Sequence, residues 1–142
     1  MKNRFKFISI LLLTAFTLFS GEICAKRKET KVYVFGISTN FTDSITYMTD
    51  IQVLEPAYIE TTSGFLYDRS IYSQQLQLWV EEVKGQPYTT CALFFSESKS
   101  KIEKKYKKVQ EKLYKDQSTI VKSLEPGEFV FKPQEWTEHE RL

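Results

Sequence analysis

Histidine is nearly absent from this sequence. His139 is the only one, and it stands between Glu138 and Glu140 in an acidic stretch close to the end of the chain. A general base needs a rigid setting and an orienting partner, so a histidine there reads as solvated, and no Ser–His–Asp arrangement can be built around it. Cysteine occurs twice, at Cys24 and Cys91, and no Cys/His pattern has metal-ligand spacing. Glycine is sparse, and its five residues form neither a phosphate-binding loop nor a nucleophile elbow. Long hydrophobic runs are also missing, with one exception. Phe7 to Phe19 is apolar apart from Ser9, Thr14 and Thr17, which is short for a membrane span.

That run follows Lys2, Arg4 and Lys6 and precedes Ile23-Cys24-Ala25. A basic start, an apolar middle and a small residue at the end make a secretory signal peptide over 1–25, cleaved after Ala25. An uncleaved anchor is one alternative. A lipidated Cys24 is another, although Glu22 and Ile23 stand where lipidation prefers small residues. The expected location is therefore exported, in the periplasm or at the cell surface, with no transmembrane segment after cleavage.

Cleavage changes the charge argument. The whole chain carries +2, but 1–25 hold three basic residues and one acidic, which leaves 17 of each sign in 26–142. A neutral exported domain makes nucleic acid an unlikely partner, because that affinity depends on neutralising phosphates. The remaining length suits one domain with a single core. Cys91 is then the only thiol left. Its apolar neighbours point to an inert core residue rather than a nucleophile.

The pattern around Cys91 organises the rest. Cys91 to Phe95 is apolar on both faces, as in a strand covered on both sides or central in its sheet. Ser100 and Glu103 fit a capping box. Ile102, Tyr106, Val109 and Leu113 then recur at helical spacing. The other face of this helix is basic, with eight lysines and two glutamates between Lys99 and Lys115. Lys101, Lys104, Lys105 and Lys108 are the candidate binding surface, set against the plainer reading of a solvated helix face.

Elsewhere, 26–30 reads as a polar leader and 31–38 as a strand. Residues 44–55 alternate, with Ile45, Tyr47, Thr49, Ile51 and Val53 on the face expected to be buried, and Pro56 ends that strand. Tyr72, Leu76, Trp79, Val80 and Val83 mark a helix over 71–84, capped by Ser70 or Asp68. Residues 118–124 and 129–132 read as strands around a Pro126–Gly127 turn, and 134–142 as an acidic tail. The sum is a single α+β domain over 31–133. It is expected as a two-layer sandwich: a mainly antiparallel sheet of four to six strands with two helices on one face.

Chemistry is thinly represented. Asp43, Asp50, Glu55, Glu60 and Asp68 are the densest carboxylates, but their spacing suits loops and wet faces, and nothing brings two together. Asn40-Phe41-Thr42 matches a glycosylation acceptor. Aromatics reach 15%. Core filling uses most of them, and Tyr33, Tyr47, Tyr58, Phe65, Tyr67 and Trp136 could leave rings exposed for a glycan or peptide.

The stretches KVYVFGIS (31–38), FTDSITYMTDIQ (41–52) and CALFFS followed by KKYKK (91–108) resemble a group of short exported proteins of Bacteroidetes-type gut bacteria. The resemblance implies an envelope location and no activity. Asp43-Ser44-Ile45 resembles a short O-glycosylation acceptor of such bacteria. The strand, serine and lysine-rich helix are loosely similar to peptidoglycan-binding domains of the sporulation-related-repeat type. The expectation is an exported, non-enzymatic binding domain that needs no cofactor, with an envelope protein or glycan as partner. A small carboxylate-dependent enzyme and a glycan-binding module are the alternatives.

Overall fold

The computed structural model describes residues 26–135. The expected signal peptide, Cys24, Trp136 and His139 lie outside the described residues. Seven elements follow one another: β1 (Arg27–Asn40), β2 (Ile45–Met48), β3 (Gln52–Glu60), α1 (Arg69–Val83), β4 (Thr90–Ser96), α2 (Lys99–Lys115) and β5 (Ile120–Ser123). The domain is α+β, with a five-stranded, mostly antiparallel sheet and two helices.

β1 is the spine of the sheet. On one edge it pairs with β4, from Tyr33↔Ser96 to Thr39↔Thr90. On the other it pairs with β3 along its first half and β2 along its second, both antiparallel. β5 lies beyond β2 and runs parallel to it. The expected polar leader is part of the sheet, since Arg27–Thr30 pair with Ala57–Glu60. Their side chains are mostly exposed, so backbone pairing rather than apolar patterning puts them there.

The helices lie on opposite faces of the sheet, which corrects the expectation of one face. Alternation along β1 shows it. Val32 and Val34 join the cluster containing Leu76 and Val80 of α1. Phe35, with Tyr33 and Ile37 beside it, joins the cluster containing Ile102 of α2. β4 is divided in the same way: Leu93 and Phe95 pack on the α1 side, Phe94 on the α2 side. Its two-sided apolar run is thus explained by a helix over each face.

The alternating segment 44–55 is two strands rather than one. Three residues, Thr49 to Ile51, oppose two of β1 between the pairs Ile37↔Met48 and Val34↔Gln52. One extra residue inverts every side chain beyond it. Tyr47 and Leu54 therefore share the α1 face, Met48 is buried under α2, and Val53, expected to be buried, is exposed. Thr49 bridges the break: its N–H donates to Gly36 O at 2.9 Å, and its Oγ1 accepts from Gly36 N–H at 2.9 Å. A second irregularity sets Glu55 and Pro56 against Lys31. Pro56 thus lies inside β3 rather than ending it, at a bulge where no ladder donor is required.

Both helices begin without the expected side-chain caps. Asp68 and Ser98 occupy the N-cap positions, neither makes a capping hydrogen bond, and the Ser100–Glu103 box does not form. Of the predicted α1 stripe, Tyr72, Leu76 and Val80 are buried, while Val83 is exposed.

The segment after β5 is not the expected strand 129–132. It is an extended strap whose Phe129 and Phe131 complete the core under α1. Two side-chain amides hold it as a neighbouring strand would. Gln52 donates through Nε2 to Phe129 O at 2.8 Å and accepts from Phe131 N–H at 2.9 Å. Gln75 does the same for Lys132, at 3.0 and 2.9 Å. Gln134 N–H then donates to Tyr72 Oη at 3.2 Å.

Candidate binding surface

The lysines of α2 fall into a pattern once the buried stripe is known. At 3.6 residues per turn, Lys101, Lys105, Lys108 and Lys112 form one ridge about 100° round from Ile102, Tyr106, Val109 and Leu113. Three of the four candidates, Lys101, Lys105 and Lys108, are on this ridge. Lys104 lies about 60° away from it. None of the α2 lysines makes an ion pair among the described residues; Lys28–Glu97 and Lys84–Glu128 are salt bridges elsewhere in the domain.

The ridge borders a groove. Lys101, Ile102 and Lys105 form one wall of a cavity of about 330 Å³, and Leu93 to Ser96 of β4 form its floor. Arg69, at the start of α1, closes the other side. Its Nη2 donates to Leu93 O at 3.1 Å, and its guanidinium lies 5.8 Å from the centre of the Phe95 ring. Lys105 Nζ sits 5.5 Å from the Phe94 ring centre. No carboxylate lines this groove among the described residues. Glu97, next in the chain, is engaged elsewhere by Lys28 Nζ and Thr30 Oγ1, both at 3.1 Å. Those donors hold its carboxyl below the usual range and keep it ionised. Arg69 was not among the sequence candidates, because nothing local marks a charge that works across the sheet edge.

The groove floor is also a strand edge. Among the described residues β4 pairs with β1 alone. Gly36 directs both its backbone groups towards Thr49, so its partner Leu93 directs its own away from β1. The Arg69 bond to Leu93 O agrees. By alternation Cys91 and Phe95 present N–H and C=O on the same outer edge.

The other candidates do not converge. Asp43 is in the β1–β2 loop, Asp50 between β2 and β3, Glu55 in the β3 bulge, Glu60 at the end of β3, and Asp68 before α1. Asp50 accepts from Gln52 Nε2 and Glu60 from Ser63 Oγ. No group of three or more metal-ligating side chains occurs among the described residues. Cys91 is half-buried, and burial pushes its thiol up, away from nucleophilic character.

Asn40 does not suit the glycosylation reading. It is 2% exposed. Its Nδ2 donates to Pro87 O at 3.0 Å, and its Oδ1 accepts from Thr42 and Asp43 N–H at 2.7 and 3.2 Å. The same bonds clasp two loops together at one end of the domain. The residues beside the clasp, Phe41 and Tyr88, are 79% and 87% exposed. Tyr88 holds a left-handed φ of 60°, a conformation that costs a bulky residue about 1–3 kcal/mol. Of the rings expected at the surface, Phe65 is exposed and Tyr47 is buried.

In comparisons with known proteins, no family model matches the chain, and no curated protein or solved structure is significantly similar to it.

Proposed function

We propose that this protein is an exported, non-enzymatic binding domain of the bacterial envelope. The observation that carries the binding reading is the unneutralised ridge of Lys101, Lys105 and Lys108 beside the Arg69 groove. A chain with balanced charge over 26–142 has gathered eight lysines along one helix and left them without an ion-pair partner among the described residues. The leader-like 1–25 supports the envelope location. Retention of the protein on isolated envelope fractions is expected to fall as salt rises above about 0.1 M. Lys101→Glu with Lys105→Glu is expected to weaken it about tenfold at low salt, a loss typical of charges that meet a complementary surface. Unchanged retention in that variant would remove the ridge as the binding surface.

A glycan-binding reading draws on Phe41 and Tyr88, two exposed rings on loops locked together by Asn40. Flat rings held proud of a rigid frame stack on sugar faces, at about 1 kcal/mol or more for each ring. This reading predicts retention on insoluble peptidoglycan that survives high salt and is lost in Phe41→Ala with Tyr88→Ala. Retention that the double variant keeps would discard it.

A further inference from the structure

Building on the binding-domain reading, we propose that the free edge of β4 takes an extended acidic peptide from a partner protein as an additional strand. Three features of one place combine. The outer edge offers backbone groups of Cys91, Leu93 and Phe95 to a neighbouring strand, and no described strand takes them. The strand itself, TCALFFS, has no proline and no charge, so it lacks the devices that normally blunt an edge. The groove along it carries cations on both sides, Arg69 from α1 and Lys101 and Lys105 from α2.

The charge distribution selects the occupant. Side chains of an added strand alternate between the two faces of the sheet. Carboxylates on one face meet Arg69, and those on the other meet Lys101 and Lys105. The main chain supplies affinity through the ladder, as in other strand-addition complexes. Arg69 already donates to Leu93 O, so it keeps one carbonyl satisfied in the free protein and is placed to donate to a carboxylate in the complex. A second copy of this chain fits poorly, because edge-to-edge pairing sets Arg69, Lys101 and Lys105 of each copy against the same cations of the other. A larger groove of about 530 Å³ lies between α1 and the strap. It borders Gln134, next to the chain outside the described residues, and nothing shows what covers it.

The probe is a fluorescent octapeptide of sequence Glu-Glu-Val-Val-Glu-Glu-Val-Val, which puts carboxylates on both faces of an added strand, used with the protein purified from cells expressing the full chain. Its twin carries N-methyl groups on alternate residues, which keeps the charge and removes the backbone donors of one edge. The expected result is binding that shifts the amide signals of Cys91, Leu93 and Phe95 more than those of Ala92 and Phe94. Affinity is expected to fall about tenfold for the N-methylated twin and about tenfold for Lys101→Glu with Lys105→Glu. Equal affinity for the N-methylated twin overturns strand addition while leaving the basic ridge as a binding surface. If no acidic peptide binds while salt-sensitive envelope retention persists, strand addition alone fails. If both are lost, the binding-domain reading fails with it. Slow exchange of the Cys91, Leu93 and Phe95 amides in free monomeric protein also overturns the proposal, since the edge is then already occupied. A dimer formed through those amides overturns it in favour of a second copy.

Discussion

Replacing Phe35 by alanine is expected to strip α2 from the sheet before the rest of the domain unfolds. Phe35 is fully buried in the thinner of the two cores. Among the described residues that core has three buried side chains, Phe35, Met48 and Ile102, against fourteen on the α1 side. Its ring stacks on Phe94 at 4.8 Å and meets Tyr106 edge-on at 5.0 Å, so one truncation removes both aromatic contacts. The cost is about 3–5 kcal/mol, or a fall in Tm on the order of 15 °C for a domain of this size. Hydrogen exchange reads the order of events: amides of 99–115 lose protection while those of 69–83 keep it. Equal loss in both helices would mean that the two layers unfold as one unit. The same variant should blunt the groove, since Lys101 and Lys105 lose their fixed distance from β4.

Gly36→Ala is expected to be nearly as harmful, although it adds a single carbon. A Cβ at this position would stand 2.6 Å from Leu76 Cδ2 and 3.1 Å from Phe131 Cζ. Leu76 is itself buried, so it has little room to move away. The expected loss is about 1–3 kcal/mol in urea denaturation. Leu76→Ala alone should cost about 2–5 kcal/mol. If the clash is the cause, the double variant is more stable than the sum of the two losses by on the order of 1 kcal/mol. Strict additivity would show that Gly36 is required for its bonds to Thr49 instead.

The same residues show how far the sequence could be read. Ile102, Tyr106, Val109 and Leu113 announced α2 correctly, because a helical stripe survives whatever it packs on. The apolar run Cys91–Phe95 left open cover on both faces or a central place in the sheet; the helices on opposite faces supply the first, while β4 itself lies at an edge among the described residues. A single alternating strand over 44–55 was misleading for a physical reason. Alternation describes a face only while register holds, and the extra residue at Thr49–Ile51 exchanges the faces without disturbing the pattern of letters. Gln52 and Gln75 were invisible as builders of the sheet edge, since a carboxamide imitates a peptide group only when tertiary structure aligns it. On the candidate surface, Lys101, Lys105 and Lys108 were legible from helical spacing. Arg69 was not, because it reaches the groove from a different element on the opposite side of the sheet.

The strap described above has a consequence for the life of the chain before it is folded. Phe129 and Phe131 close the α1-side core, and they come from the last part of the domain to be synthesised. A nascent chain that lacks them has a gap in the core beneath α1. Late arrival of these two aromatic rings therefore delays completion of the α1-side core.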